Sequence, residues 1–443
     1  MTDTIYALST ARGIAGIAVV RLSGPRSSAV SQRICGCVMP PPRTAKVVSY
    51  RDPGNGELLD RGILVWFPGP GSYTGEDVAE FHVHGSQAVV SGILEVLARQ
   101  EDLRLSEPGE FTKRAFYNEK FDLTSAEAVH DLVHSETAAQ RRLALSQMEG
   151  SLYRLYEAWR SELIYIQGLL EATIDFSDEP LPDSIDAEIS SRIQDLVKSI
   201  STHLDDNNRG EKIRSGINVV LLGRPNSGKS TLFNRLCGRS AAIVSSIPGT
   251  TRDVIEARMD IDGFPVVIND TAGLRETENE IETEGVRRAF LKAAESDLNV
   301  FVLDGTSDIE DALAIMPDLD DRTVLVANKS DLIPVDCRNS ETKYPLIYVS
   351  ALTGEGIPQL LNQLGDQIKS AYVVSEAPVM TRHRHRVAIE ACCQALKRTL
   401  GGGAPEMMAE DLRLASTNLG RLTGRIDIED VLDAIFGEFC IGK

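Results

Sequence analysis

The alternation of apolar and polar positions between residues 216 and 375 is typical of an α/β domain. Short apolar runs are bounded by Gly, Asp, Asn or Ser, and apolar residues recur every three to four positions between them. Such runs predict buried strands, and the longer periodicity predicts helices that connect them into a mostly parallel sheet. The strands are predicted over residues 217–222, 264–269, 298–303, 323–327 and 346–349.

Residues 1–117 show a different pattern, in which Pro and Gly separate short runs with strand character. Strands are predicted over residues 14–22, 46–50, 62–67 and 78–84, and a helix over 88–98. Turn glycines lie beside polar groups in Ser72–Asp77 and Glu107–Thr112. Because loops on a rigid scaffold often carry binding groups, we expect a separate α+β domain with candidate binding loops.

Helical periodicity dominates residues 118–210 and returns in residues 380–443. Both flanks of the α/β domain are therefore helical, and a domain whose ends lie close together can be inserted into another. We expect one discontinuous helical domain, formed by 118–210 and 380–443 and interrupted by an α/β domain at 216–375. The polar residues 205–210 are predicted to be a linker. Helices are predicted over residues 187–204, 387–400, 407–419 and 428–436.

Composition and charge narrow the class of protein. A chain of 443 residues is too long for one hydrophobic core. Its net charge of −19 repels nucleic acid, so an RNA partner would need a local basic patch. The run Arg382–Arg386 is either such a patch or a solvated helix start. Seven cysteines, an odd number, argue against a disulfide framework, and no apolar run has the length of a membrane span. We therefore expect a cytoplasmic protein with no membrane segment.

The segment Gly223–Ser230 matches the phosphate-binding pattern GxxxxGK[ST] between a predicted strand and a predicted helix. The glycines allow backbone N–H groups to converge on phosphate oxygens. Lys229 can reach the β- and γ-phosphates, and the Ser230 hydroxyl can bind Mg²⁺. The residues of this loop predicted to contact the nucleotide are Asn226, Ser227, Gly228, Lys229, Ser230 and Thr231.

Three further motifs follow predicted strands in the order expected of a GTP site. Asp270, Thr271, Ala272 and Gly273 come first and would organise Mg²⁺ and sense the γ-phosphate. In the second motif, Asp331 can accept from N1–H and the exocyclic amine of guanine, Asn328 can address the other edge of the base, and the Lys329 stem can cover the ring. The third motif is Ser350, Ala351 and Leu352, whose backbone would also contact the base. Together they predict GTP as the nucleotide.

The stretch between these motifs occupies the position of a switch loop. It contains Ser245, Ser246, Ile247, Pro248, Gly249, Thr250 and Thr251. Thr251 is the candidate second hydroxyl ligand of Mg²⁺. Ras-like GTPases carry a water-orienting glutamine directly after the Asp270–Gly273 motif, and this chain has Leu274 there. Leucine cannot orient water, so either hydrolysis is slow or another polar group substitutes.

Segments along nearly the whole chain resemble one family, the tRNA-modification GTPases called MnmE or TrmE. The matching segments are Val20–Gly24, Tyr73–Asp77, Pro108–Thr112, Gly223–Ser230, Gly249–Asp253, Asp270–Arg275 and Phe439–Lys443. The resemblance implies a K⁺-activated GTPase that hydrolyses GTP when two GTPase domains pair. It implies that Asn226, Ser245, Ile247 and Thr250 coordinate K⁺, and that Glu282 orients the attacking water in place of the missing glutamine.

The resemblance also implies an N-terminal domain that dimerises and binds a reduced folate (5-formyl- or methylene-tetrahydrofolate). Arg21, Glu80 and Lys120 match the family's folate-contacting positions, Lys443 joins them from the C-terminus, and Cys440 is a suspected catalytic residue. The family works with a flavin- and NADH-dependent partner (MnmG or GidA). Together they add an aminomethyl or carboxymethylaminomethyl group to C5 of the wobble uridine of tRNA, with the folate as carbon source.

Two questions stay open from the residues themselves. His82 and His84 share one face of a predicted strand, where a structural or substrate-contacting role is favoured over a metal pair. A ribosome-assembly or RNA-binding GTPase is the alternative function, because such proteins share the Gly223–Ser230 type of loop and lack the switch glutamine. Those proteins append an RNA-binding module or a second GTPase domain, whereas this chain has a single phosphate-binding loop of this pattern.

Overall fold

The computed structural model describes residues 3–175, 185–239, 256–270, 294–309, 320–338, 345–372, 378–426, 432, 435–437 and 439–442. The chain divides into two compact units. The first comprises Met1–His130, Gln147–Gln194 and Gln394–Lys443, and the second comprises Asp131–Ser146 and Asp195–Cys393. The domain boundaries expected from the sequence remain a prediction.

A six-stranded sheet forms the N-terminal part of the first unit, in the order β3-β4-β5-β2-β1-β6. Neighbouring strands are antiparallel except β1 and β6, which are parallel. Helices α1 and α2 bury their apolar faces against one side of the sheet. The elements are β1 Thr4–Leu8, β2 Ala15–Ser23, α1 Ser27–Cys35, β3 Lys46–Arg51, β4 Leu58–Phe67, β5 Val78–Gly85, α2 Gln87–Ala98, β6 Leu103–Leu105 and α3 Glu110–Tyr117.

Long helices follow this sheet in the chain, as the three-to-four periodicity predicts. The longest, α6, buries apolar side chains at alternating spacings of three and four, which places them on one face. Within the first unit that helix packs against α12. The helices are α4 Leu123–Val133, α5 Ala138–Met148, α6 Ser151–Asp175, α7 Ile185–Leu204, α11 His383–Leu400 and α12 Pro405–Thr423. The helix predicted over 428–436 lies largely outside the described residues.

A second six-stranded sheet, in the order β12-β11-β10-β7-β9-β8, forms the core of the second unit. Neighbouring strands are parallel except β8, which pairs antiparallel with β9. The prediction of a mostly parallel sheet is therefore confirmed. The elements are α8 Arg209–Ser215, β7 Ile217–Leu222, α9 Lys229–Arg239, β8 Glu256–Ile261, β9 Phe264–Asp270, β10 Leu298–Asp304, β11 Thr323–Asn328, β12 Leu346–Tyr348 and α10 Ile357–Tyr372.

The structure corrects two expectations in the second unit. The linker predicted over 205–210 is shorter, because α8 begins at Arg209. The basic run is neither a free patch nor a solvated helix start: Arg382 pairs with Asp131 at 2.9 Å, and Arg386 pairs with Asp206 at 2.5 Å. Both arginine side chains are largely buried. Each has an acidic partner from a segment distant in sequence, which offsets the cost of removing its charge from water.

Within the part of the chain that the structure describes, none of the helices combines the length and the apolar character that crossing a membrane requires.

Candidate functional site

The phosphate-binding loop joins the end of β7 to the start of α9 at Lys229. Gly223 has φ +142°, and a Cβ there would lie 2.2 Å from the Val302 carbonyl oxygen. Gly228 has φ +92°, and Asn226 has φ 63°, which is uncommon for a residue with a side chain. The loop thus leads directly into a helix whose first N–H groups have no partner within the helix, which is a favourable site for an anion.

Lys229 lies over this loop and is 9% exposed. Its Nζ donates to the carbonyl oxygen of Gly223 at 2.9 Å and to that of Arg224 at 2.8 Å. Ser230, Thr231 and Asn226 are exposed at the same end of the helix. The structure therefore brings together a cation, two hydroxyls and an amide where the sequence predicts the triphosphate.

Asn328, at the end of β11, joins the phosphate-binding loop to the third motif. Its Nδ2 donates to the Ser227 carbonyl oxygen at 2.9 Å, and its Oδ1 accepts from the Ala351 N–H at 3.0 Å. The side chain is buried. One amide thus fixes the spacing between the segment predicted to hold phosphate and the segment predicted to hold the base.

Lys329 is held in place by a carboxylate that the sequence analysis did not identify. It has φ 65°, and its Nζ contacts Asp304 Oδ2 at 2.5 Å. Burial acts to raise the pKa of Asp304, but hydrogen bonds from Lys329 and Thr306 outweigh burial and lower it. Asp304 is the last residue of β10, so it meets Lys329 because β10 and β11 are parallel neighbours.

Two arginines, also missed, contact the loops of the predicted base site. Arg235 of α9 donates to the carbonyl oxygens of Ala351 and Leu352. Arg338 donates to the Ser330 carbonyl oxygen at 2.8 Å and to Glu355 Oε1 at 2.6 Å. Ser350 and Ala351 are buried, and Asp331 and Leu352 are exposed. Because the arginines bind backbone carbonyls, no sequence motif signals either contact.

Several predicted residues of the nucleotide site lie outside the described residues. For Asp270 the structure describes the backbone, as the last residue of β9. The others are Ser245, Ser246, Ile247, Pro248, Gly249, Thr250, Thr251, Thr271, Ala272, Gly273 and Glu282.

In the N-terminal sheet, Arg21 and Glu80 are in direct contact. They are cross-strand neighbours on β2 and β5, and the Arg21 guanidinium donates to Glu80 Oε1 through Nε at 3.0 Å and through a terminal nitrogen at 2.9 Å. The guanidinium also stacks on the rings of Tyr73 and Phe111, at 5.3 and 5.7 Å from their centroids. Each ring comes from one of the two loops singled out in the sequence.

His82 and His84 contact carboxylates on the same face of the sheet. His82 Nε2 lies 3.3 Å from Glu80 Oε2, and His84 Nδ1 lies 2.9 Å from Asp60 Oδ1. Glu80 therefore uses one oxygen for Arg21 and the other for His82. Both histidines therefore pair with carboxylates. Among the described residues, no group of His, Cys, Asp and Glu side chains is arranged to hold a metal ion.

The C-terminal residues lie against the N-terminal part of the first unit. Ile441 forms a bridge with Pro108, and the Gly109 N–H donates to the Cys440 carbonyl oxygen at 3.5 Å. Gly442 has φ +100°, and a Cβ there would lie 2.3 Å from the Leu8 carbonyl oxygen. The Cys440 side chain is exposed. The backbone of Cys440 is thus hydrogen-bonded to the loop that leads to Phe111, while Lys443 lies outside the described residues.

Lys120 is exposed shortly after the end of α3, and its backbone N–H donates to the Ala115 carbonyl oxygen at 2.8 Å. In the part of the chain that the structure describes, its side chain forms no hydrogen bond or ion pair with Arg21 or Glu80. The structure therefore places Arg21 and Glu80 together and leaves Lys120 on the surface of the same unit.

Arg114 is a buried residue that sequence reasoning missed, and it pairs with residues of the two loops that contact Arg21. Its guanidinium is fully buried and pairs with Asp3, Glu76 and Glu110 at 3.0 to 3.1 Å. Glu76 and Glu110 belong to the two loops that carry Tyr73 and Phe111. A charge buried this completely requires such partners, so the acidic residues of both loops are the signal that could have identified it.

Two family models match this chain. The model described as MnmE helical domain matches residues 123–440, and the model described as GTP-binding protein TrmE N-terminus matches residues 4–120. A protein named tRNA modification GTPase MnmE from Paramagnetospirillum magneticum is 50% identical over 443 residues, covering 100% of both chains. A protein of the same name from Parvibaculum lavamentivorans is 50% identical over 446 residues, again covering 100% of both. In Danio rerio, the protein named 5-taurinomethyluridine-[tRNA] synthase subunit GTPB3, mitochondrial, is 42% identical over 467 residues, covering 100% of this chain and 93% of its own.

Proposed function

Because the chain belongs to the family of tRNA-modification GTPases named MnmE or TrmE, we propose that it hydrolyses GTP in the modification of tRNA at C5 of the wobble uridine (U34). As a member of this family it is a GTPase. One observation supports assigning GTP to particular residues. Asn328 contacts both Ser227 and Ala351, so the segment predicted to bind phosphate and the segment predicted to bind the base are joined by one side chain.

In this site Asp331 and Asn328 read the guanine edges and the Lys329 stem covers the ring. Asp331, two residues after Lys329, is exposed, where a base can reach it. The contact between Lys329 and Asp304 holds the stem in one direction. These features support guanine over adenine, because adenine has no N1–H and carries its amine at C6 instead of C2, so it cannot donate two hydrogen bonds to one carboxylate there.

Hydrolysis would use Lys229 at the β- and γ-phosphates, with Mg²⁺ held by Ser230 and Thr251. Exposure of the Ser230 hydroxyl at the start of α9 fits a Mg²⁺ ligand. Mg²⁺ supplies positive charge to the phosphate oxygens when bound. The Asp270 motif lies at the end of β9, and Glu282 would orient the water that Leu274 cannot orient.

Potassium is proposed as the activating ion, with Asn226, Ser245, Ile247 and Thr250 as ligands. Of these residues, the structure describes Asn226. It has a left-handed backbone conformation and an exposed amide side chain within the phosphate-binding loop. Potassium there supplies positive charge near the bond that breaks. GTP turnover is expected to be several-fold faster in K⁺ than in Na⁺ at equal ionic strength, and equal rates would remove potassium from the proposal.

A reduced folate (5-formyl- or methylene-tetrahydrofolate) is proposed to bind at Arg21 and Glu80. A pterin presents a guanine-like edge that a carboxylate such as Glu80 can accept from, and Arg21, Lys120 and Lys443 provide positive charge for the glutamate tail. The ordered pair between Arg21 and Glu80 supports this fit. The folate supplies a one-carbon unit when bound, and the exposed Cys440 thiol is proposed as the catalytic group.

The partners proposed are a second copy of this chain, the flavin- and NADH-dependent protein MnmG or GidA, and tRNA, in the cytoplasm. The homodimer is supported by apolar side chains that the N-terminal sheet leaves exposed: Ile17 is 63% exposed, Val47 79% and Ile63 37%. Val47 and Ile63 are cross-strand neighbours on β3 and β4, and adjoining exposed apolar residues commonly mark an interface. The name of the zebrafish relative, a subunit that makes a modified uridine in tRNA, supports tRNA as the substrate.

Nucleoside analysis of tRNA from a strain lacking this protein tests the proposal. The C5-modified wobble uridine is expected to disappear, and a plasmid carrying the wild-type gene should restore it. Cys440→Ser should fail to restore it while keeping a normal GTPase rate, and Cys37→Ser, a half-buried cysteine of the same unit, is the matched control. Normal modification in the deletion strain would instead favour the ribosome-assembly or RNA-binding alternative.

A further inference from the structure

Arg235 connects helix α9 to the loop Ser350–Leu352. Its Nε donates to the Ala351 carbonyl oxygen at 2.8 Å, and a terminal nitrogen donates to the Leu352 carbonyl oxygen. The arginine is half-buried and lies six residues after Lys229, on the helix that begins at the phosphate-binding loop. A guanidinium offers its donors in a rigid planar fork, so two bonds to successive carbonyls fix the orientation of both peptide groups.

The orientation of those peptide groups decides what the loop presents on its other side. In a planar trans peptide the C=O and the following N–H point in opposite directions. With the Ala351 carbonyl directed at Arg235, the Leu352 N–H points away from it. The next N–H, of Thr353, donates to Ser350 Oγ at 3.1 Å, and the Ala351 N–H donates to Asn328. The loop therefore presents the Leu352 N–H as a donor on the side opposite the arginine.

We propose that Arg235 is a positioning residue for recognition of the O6 oxygen of guanine, acting through the backbone N–H of Leu352. The inference rests on the proposed placement of guanine at this loop. O6 is an acceptor and matches a backbone N–H, whereas adenine carries an amine at that position and would meet a donor with a donor.

Besides the hydrogen bonds within residues 350–355, two side chains from other elements hold the loop. Asn328 fixes Ala351 from the side of the phosphate-binding loop, and Arg235 fixes the Ala351–Leu352 step from the side of α9. Leu352 is 71% exposed, so packing of its side chain adds little restraint. Loss of Arg235 therefore releases the outer part of the loop and leaves the inner part attached, which predicts a selective loss of O6 recognition.

The test compares affinities for GDP and for 6-thio-GDP, which keeps N1–H and the exocyclic amine and replaces O6 with sulfur, a weak acceptor. We expect the wild type to prefer GDP by about tenfold, and Arg235→Ala to reduce that preference to about twofold, mainly through weaker GDP binding. Asn234→Ala is the matched control, because Asn234 is exposed on the same helix next to Arg235. It should keep the wild-type preference.

The outcomes separate this inference from the guanine placement on which it rests. Equal binding of both nucleotides by the wild type would overturn the placement and the inference with it. A wild-type preference for GDP that Arg235→Ala retains, with both affinities lowered by the same factor, would overturn the inference and leave the placement standing. If thermal unfolding shows that Arg235→Ala does not fold, Arg235→Lys, which keeps a cation but loses the fork, is judged by the same ratio.

Discussion

The nucleotide loops of the second unit and the Arg21–Glu80 face of the first unit are built in different ways. In the nucleotide loops the deciding contacts run to backbone atoms: Lys229 binds two carbonyl oxygens of its own loop, and Asn328 binds the backbone of Ser227 and Ala351. On the N-terminal face, two side chains 59 residues apart in sequence contact each other across neighbouring strands. Backbone geometry should therefore control the first region, and the chemistry of individual side chains should control the second.

Gly223→Ala should have the largest effect, because it breaks the backbone geometry of the nucleotide loops. The added Cβ would lie 2.2 Å from the Val302 carbonyl oxygen, and φ +142° is strained for alanine. We expect GDP affinity to fall by at least about 100-fold, since the loop and α9 must both shift. Fluorescence titration with a labelled GDP measures this.

Gly238→Ala is the matched control for that change. It lies near the end of α9, the helix that follows the loop of Gly223, and no atom comes within 4 Å of an added Cβ. Its GDP affinity should stay within about twofold of wild type, because alanine also favours a helix. If Gly223→Ala bound GDP as tightly as Gly238→Ala, backbone geometry would not control this region and the contrast between the two regions would fail.

Glu80→Gln should have the next largest effect and should be confined to the N-terminal face. The change removes the charge that Arg21 and His82 both contact, while keeping the size of the side chain. Affinity for 5-formyltetrahydrofolate is expected to fall about 10- to 100-fold, the range for hydrogen bonds to a charged group. Equilibrium dialysis or calorimetry with this folate measures it, with the GTPase rate as a second readout.

Glu95→Gln, an exposed residue on α2 of the same unit, is the control for that experiment. It should leave folate affinity unchanged. A fall in the basal GTPase rate of Glu80→Gln would mean that the side chains of the N-terminal face also affect the nucleotide loops. That result would contradict the separation drawn between the two regions.

The same contrast explains what could be predicted from the sequence. The nucleotide motifs follow strands, and the carboxyl ends of parallel strands share one edge of a sheet, so their assembly could be predicted. Contact between Arg21 and Glu80 depends on β2 and β5 being neighbours in one register, which the pattern of residues does not specify. The family resemblance implies only that both residues bind folate. The contacts of Arg235 could not be predicted from the sequence, because its partners are backbone carbonyl oxygens.

Three strands, β8, β1 and β6, are not predicted by the hydrophobic pattern, and they differ in how strong a local signal marks them. Strand β8 pairs with β9 through the turn Asp262–Gly263, whose residues have φ 52° and 87°. An Asp-Gly pair between apolar residues is a strong hairpin signal, so this strand could have been predicted. Strands β1 and β6 are short, and their pairing was not marked by a comparable turn. The ion pairs of Arg382 and Arg386 could not be predicted from the basic run itself, because their partners, Asp131 and Asp206, are distant in sequence.

Asp304→Asn should have the smallest effect, and it tests whether a side-chain pair contributes to the nucleotide loops at all. Burial acts to raise the pKa of Asp304, but the hydrogen bonds from Lys329 and Thr306 leave it below its usual range. A carboxylate with a lowered folded-state pKa stabilises the protein above its unfolded-state pKa of about 3.9, and this contribution is lost as pH falls through the folded-state value.

We expect Asp304→Asn to lower the free energy of unfolding by about 0.5–1 kcal/mol at pH 7, and GDP affinity by about threefold, because the Lys329 stem loses its anchor. Urea unfolding from pH 7 down to pH 2 should show a difference that stays constant to about pH 4 and narrows below it, because the folded-state pKa of Asp304 lies below its unfolded-state value. Asp336→Asn, an exposed aspartate of the same unit, should match wild type throughout. A loss of GDP affinity above about 30-fold would mean that side-chain pairs matter in the nucleotide loops as much as on the N-terminal face.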